Sequence, residues 1–278
     1  MTENVKPRRL VVKFGRNELT GTDGALDPKV FQSIARQVAR LREVGVLTIV
    51  VSSGAISAGR QWLIENQSQF PSRKLSEKLL AAAGQDILMG FWRDAFKSCG
   101  FGVAQVLATF YNCCHQDERQ SLASTLLEAL ESYLVPIVNE NDPVSPAEIE
   151  LMDLGFSEND VLASMIADIV GADSVIFFSD IGGVYDSDPR TDAPCRKYRT
   201  IDAWNIPRGL QPKRVGMVNL SSSHGRGGIE TKISAAALCH RVGMRVSITN
   251  LNGSDDTLSR FIGGESLGTM MGDDTVLE

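Results

Sequence analysis

Two lysines stand beside glycines where the chain is set to turn. Lys13 closes the run Val11-Val12-Lys13 and is followed by Phe14-Gly15-Arg16-Asn17. A lysine at the end of a buried strand, with glycine next to it, can reach a phosphate while the backbone turns beneath it. The same lysine could instead snorkel from a sheet edge. Lys232 closes His224-Gly225-Arg226-Gly227-Gly228-Ile229-Glu230-Thr231-Lys232, where three glycines within four residues precede a helical pattern. Free N–H groups and the helix dipole favour a phosphate there, and Lys232 adds a full charge. The loop is not a Walker A motif, because GxxxxGK[ST] is absent, and the protein-kinase signatures HRD and DFG are absent too.

Polar residues gather at three other strand ends. Ser52-Ser53-Gly54 suits either an anion or an ordinary helix cap. Asn139-Glu140-Asn141-Asp142 directly follows an apolar run, where unpaired polar groups are costly; Asp142 is a candidate for holding a substrate amine. Asn159-Asp160 opens a helical pattern, so Asp160 either caps it or orients a lysine or metal ion beside a transferring phosphate. Ser179-Asp180-Ile181-Gly182-Gly183 could cup a nucleoside, although turn chemistry alone accounts for its glycines. Lys13 and Lys232 on separate glycine loops, with an aspartate between them, would make a phosphoryl-transfer site.

These groups need a scaffold, and the chain provides the pattern for one. Leu10–Phe14, Leu47–Ser52, Val135–Asn139 and Val175–Phe178 are apolar throughout, as buried strands of a parallel sheet are. Helical spacing is read in Pro28–Glu43, Leu79–Phe96, Ser121–Leu130, Val161–Val170 and a segment after Gly228 that ends near Gly243. The alternation predicts a three-layer α/β/α sandwich with a mainly parallel central sheet, whose ligands gather beyond the carboxyl ends of the strands. Ser145–Asp160 reads as a flap, and Tyr185–Arg226 as a long excursion that returns to the sheet.

Composition narrows the class. In 278 residues, 43% are hydrophobic and 22% charged, an ordinary balance for a soluble globular protein. A net charge of -6 argues against a general nucleic-acid binder. Five cysteines without a CxxC pair suggest neither a zinc site nor a disulfide framework, and fit a reducing compartment. No apolar run approaches the roughly 18 residues of a membrane span or forms a signal peptide. A cytoplasmic protein is expected.

The order of motifs goes further than any one of them. VVKFG, VVSSGAISAGR, LLAAAGQ, VPIVNEND, END before a helix, GADSVIFFSDIGGVYDSDPR, GRGGIETK and GESLGTM together resemble the glutamate 5-kinases of the amino-acid kinase family, from about Arg9 to Met270. The resemblance implies transfer of the ATP γ-phosphate to the side-chain carboxylate of L-glutamate, the first step toward proline. By position, Lys13 and Lys232 would stabilise the transferring group and Asp160 would orient them. Ser53, Asp142 and Asn159 would hold glutamate. Lys13, Gly15, Ser179, Asp180 and the loop Arg226, Gly227, Gly228, Ile229, Glu230, Thr231 and Lys232 would bind ATP, with Mg2+ bridging its phosphates. It also implies a homo-oligomer, feedback inhibition by proline, and one kinase domain over 1–278. Within that domain, about 1–170 would bind the acceptor and 171–278 the nucleotide. The PUA domain that follows the kinase in many members is expected to be missing. Arg16 and Asn17 stand where these kinases have small hydroxyl residues. A kinase of the same fold acting on another carboxylate, carbamate or phosphate acceptor, or a weakly catalytic nucleotide-binding regulator, are the alternatives.

Overall fold

The computed structural model describes residues 8–66, 75–145, 158–191, 194–211, 228–251 and 253–278. In chain order the strands are β1 (Arg8–Phe14), β2 (Val46–Ser52), β3 (Gly102–Ala108), β4 (Leu134–Glu140), β5 (Ser174–Phe178), β6 (Tyr198–Asp202), β7 (Arg245–Thr249), β8 (Thr269–Gly272) and β9 (Val276–Leu277). The helices are α1 (Arg16–Leu19), α2 (Pro28–Glu43), α3 (Ala55–Glu65), α4 (Glu77–Lys97), α5 (Phe110–Cys114), α6 (Gln116–Glu131), α7 (Glu158–Ile169), α8 (Ile229–Arg241) and α9 (Thr257–Ile262).

Among the described residues the strands form one sheet in the order β3-β4-β2-β1-β5-β7-β8-β6-β9. The pairs from β3 through β7 are parallel, and antiparallel pairing enters only at β7–β8 and β6–β9. The mainly parallel sandwich is therefore as expected. From β1 the chain steps to β2, crosses to β3 at the edge and returns with β4 between them, then restarts on the other side of β1 with β5. Such a reversal leaves a crevice beyond the carboxyl ends of the two central strands. Gly15 and the residues after β5 open into that crevice.

Pleating divides β1 between two cores. Leu10, Val12 and Phe14 join a cluster with Phe31 and Ile34 of α2 and Trp92 and Phe96 of α4. Val11 belongs to the opposite cluster, with Leu162, Ala163 and Ile166 of α7 and Ile233, Ala235 and Ala236 of α8. Because side chains alternate along a strand, Lys13 shares the face of Val11. The sheet register sets its depth: Lys13 lies opposite Val51 of β2 and Phe177 of β5.

Helix α2 shows why the apolar period was readable. Asp27 accepts a hydrogen bond from the Lys29 N–H at 2.9 Å, Pro28 occupies the first turn, and Phe31, Ile34, Ala35, Val38 and Leu41 are buried. Helices α3 and α4 touch backbone to backbone. A Cβ on Gly59 would stand 2.1 Å from the Leu80 carbonyl oxygen, and one on Gly84 would stand 2.0 Å from that of Ala55.

Some boundaries differ from expectation. Helix α6 starts at Gln116 instead of Ser121, because its first turn carries Asp117 and Glu118 and no apolar period. Strands β3, β6, β7, β8 and β9 were not predicted. Strand β3 lies at the sheet edge, alternates between exposed and half-buried, and lacks a continuous apolar run. The segment read as a long excursion, Tyr185–Arg226, contains β6, which joins the sheet well before Arg226. Most of the proposed flap, residues 146–157, lies outside the described residues.

Candidate active site

Three elements deliver three charges to one point. Lys13 comes from the penultimate position of β1, Asp160 from the first turn of α7, and Lys232 from the first turn of α8. Lys13 Nζ is 2.6 Å from Asp160 Oδ1, and Lys232 Nζ is 3.8 Å from Asp160 Oδ2. All three residues are buried, Asp160 completely. The Thr231 hydroxyl lies 3.1 Å from Asp160 Oδ2 and 2.8 Å from the Gly228 carbonyl oxygen, and its one proton serves either acceptor. Asp160 is thus the counter-ion of both lysines and lies within the helix, not at its cap.

The electrostatics follow from that crowding. Burial pushes the Asp160 carboxyl up, but the two ammonium groups and the Thr231 hydroxyl outweigh it and hold the acid below the ordinary carboxylate range. Burial holds Lys13 below the usual lysine range despite Asp160, with Lys232 adding repulsion. Burial also opposes the charge on Lys232, yet Asp160, Glu18 and Asp180 together raise it. The result is a buried, fixed pair of lysines that share Asp160 as their contacting carboxylate. A preorganised charge of this kind acts on developing negative charge without reorganisation of solvent.

Beside this triad a chain of neutral hydrogen bonds crosses the strand ends. Asn159 donates from Nδ2 to Ser53 Oγ at 3.1 Å, and its Oδ1 accepts from the Glu140 N–H at 3.2 Å. The structure thereby joins Ser53 after β2, Asn159 on α7 and the end of β4. Asn139 donates to Gln85 of α4 at 2.9 Å, and the buried Glu140 carboxylate accepts from the Ser145 hydroxyl at 2.8 Å. Asp142 is half-buried in the turn that follows, in which the Ser145 N–H donates to the Asn141 carbonyl at 2.9 Å. Gly54, with φ 117°, adopts a conformation that favours glycine and lets β2 turn directly into α3.

On the other side of β1, the Ser179 N–H donates to the Thr249 carbonyl at 2.7 Å, and the Ser179 hydroxyl is 3.4 Å from Asp180 Oδ1. Arg190 lies 3.8 Å from the Asp180 carboxylate. Gly183, at φ 144°, sits so tightly that a Cβ would come 2.8 Å from Thr269 Oγ1. Gly228 is the N-cap of α8; the Ile229 side chain packs on the core, and Glu230 folds back over Gly228. Arg226 and Gly227 lie outside the described residues.

Sequence reasoning missed Glu18. It stands in α1, three residues after Gly15, the spacing at which a glutamate turns back on a helix start. A Cβ on Gly15 would meet Glu18 Oε2 at 2.5 Å and Lys13 Nζ at 3.5 Å. Gln85, which orients Asn139, was also missed, because it lies within a helical pattern that gives no sign of it.

A parallel sheet whose carboxyl edge gathers two lysines around one aspartate has the layout of a small-molecule kinase. The chain belongs to the amino acid kinase family, whose family model matches residues 8–250. Among its relatives is the glutamate 5-kinase of Citrifermentans bemidjiense, 35% identical over 265 residues, which cover 95% of this chain and 68% of the relative. That of Methanococcoides burtonii is 34% identical, with 94% and 67% covered. The crystal structure of UMP kinase from Bacillus anthracis aligns with a TM-score of 0.64 at 16% identity over 98% of both chains, a likeness of fold alone.

Proposed function

We propose that this enzyme transfers the γ-phosphoryl group of ATP to the side-chain carboxylate of L-glutamate, giving γ-glutamyl phosphate and ADP. The observation that carries the reading is Asp160 buried between Lys13 and Lys232, next to the Asn159–Ser53 hydrogen bond. The relatives named glutamate 5-kinase support the choice of acceptor. In this reading a glutamate carboxylate oxygen forms the new bond to the γ-phosphorus. The bond to the bridging oxygen breaks, and ADP leaves with the electron pair. A glutamate side chain is already ionised near neutral pH, so the step needs no general base. Charge neutralisation and alignment are what remain, and the lysines fit that need.

Lys13 and Lys232 would neutralise the equatorial oxygens, while Asp160 keeps both ammonium groups in place. Ser53 and Asn159 would position the acceptor, with Asp142 pairing with its ammonium group. Gly15, Ser179, Asp180 and the segment Gly228–Lys232 would surround the nucleotide. Mg2+ belongs with the nucleotide, carried on its phosphate oxygens as part of the substrate. The acceptor half would lie on the β2 side of β1 and the nucleotide half on the β5 side.

Homo-oligomeric assembly, inhibition by proline and a cytoplasmic location belong to the same reading. No helix among the described residues is long and apolar enough to cross a membrane. Trapping the product with hydroxylamine tests the proposal. ATP, Mg2+ and L-glutamate should yield hydroxamate, whereas L-aspartate and a blank should not. No hydroxamate with glutamate, from protein that binds ATP, would overturn it.

A further inference from the structure

We propose that the Glu18 carboxylate is a resident anion of the phosphoryl site, which the nucleotide's terminal phosphate must displace from Gly15, so that Glu18 sets how tightly the site holds ATP. The inference rests on the kinase reading above. Leu19, fully buried, anchors the single turn of α1 and leaves Glu18 directed back toward the end of β1. Its Oε2 packs against the Gly15 Cα on the side that also faces Lys13 Nζ. That oxygen is buried and has no hydrogen-bond partner. Burying this carboxylate is costly, and the pull of Lys13 and Lys232, with a hydrogen bond from the Gly15 backbone, offsets only part of that cost. A terminal phosphate drawn to the same lysines meets this carboxylate as a like charge.

The charged groups that act on Glu18 come from every side of the site: Lys13 on β1, Lys232 on α8, and Asp180 after β5. Asp160 on α7 reaches it only through the lysines that it pairs. Burial raises the Glu18 carboxyl above the ordinary glutamate range, against the pull of Lys13 and Lys232. The sign follows directly. Protonated Glu18 does not repel phosphate, so ATP affinity is highest below the raised value and falls as pH rises through it.

Calorimetric titration of the full chain with MgATP and MgADP, across a pH series, tests this. Glu18→Gln should bind ATP about fivefold or more tightly than the wild type above that value. It should flatten the pH dependence and change ADP binding less, because ADP lacks the terminal phosphate. Glu18→Asp, which withdraws the carboxylate by one methylene, should fall between the two, and thermal unfolding establishes that each variant is folded. Equal or weaker ATP binding by folded Glu18→Gln would overturn the inference and leave Glu18 as a cap of α1. A wild type that binds neither nucleotide would instead overturn the kinase reading, and this inference with it.

Discussion

The two faces of the central sheet are packed with different materials. On the α2–α4 face, Phe14 stacks on Phe178 with centroids 4.5 Å apart, and Trp92 meets Phe31 edge-on at 4.5 Å. The Trp92 indole also donates to Ser52 Oγ at 2.9 Å, fixing the end of β2. On the α7–α8 face the helices contribute Ala163, Ala167, Ala235, Ala236 and Ala237. There, Ser164 Oγ lies 3.1 Å from the Ala235 carbonyl, tying one helix to the other. Large rings fix the position of the strands, whereas small side chains let two helices approach closely enough for their first turns to converge on Lys13. Rigidity on one side and close approach on the other together make the charged site.

The most severe way to break the charged face is Asp160→Asn, which removes the carboxylate in contact with both buried ammonium groups. A loss of about 3–5 kcal/mol is expected, read by chemical denaturation. Because the Asp160 carboxyl is held below its ordinary range, its contribution is present above that range and is lost as pH falls through the depressed value. Wild-type stability should therefore fall more steeply in acid than that of Asp160→Asn, and parallel pH profiles would refute the assignment. Lys232→Met should come next. Asp160 keeps Lys13, so the fold survives, while kcat falls by about 100- to 1,000-fold. Steady-state kinetics and a melting curve separate the two effects.

Helix α4 sharpens the comparison within the aromatic face itself. Gly84→Ala drives a Cβ into the α3 backbone and should cost about 1–3 kcal/mol or more. A Cβ on Gly90, in the same helix, meets nothing within 4 Å, so Gly90→Ala should stabilise by about 0.5–1 kcal/mol. Equal shifts in Tm for the two variants would contradict the close approach of α3 and α4.

The strands that carry the site were legible because each is buried on both faces. β1, β2, β4 and β5 announce themselves as unbroken apolar runs, whereas the half-exposed edge strand β3 does not. Lys13 and Lys232 were legible through the glycines beside them. Their link to Asp160 came only from the family resemblance, since their meeting depends on how α7 and α8 pack across the sheet and no local spacing encodes that. The resemblance implies Thr231 as a nucleotide ligand, and nothing in the sequence announces that its hydroxyl also lies within reach of Asp160 and of the Gly228 carbonyl. Glu18 escaped notice because its significance depends on the direction in which a four-residue helix points its third residue.

The alternation along β1 limits how this strand can change over evolution. Substitutions that keep Val11 apolar and Lys13 basic leave the design intact. A one-residue deletion between Leu10 and Lys13 would shift the pleat, directing the lysine toward Phe31, Phe178 and Trp92 and Phe14 away from them. The residue count from the strand's first buried position to Lys13 is therefore fixed more strictly than the residues in between, and length variation in this part of the chain should be confined to the turns after Gly15.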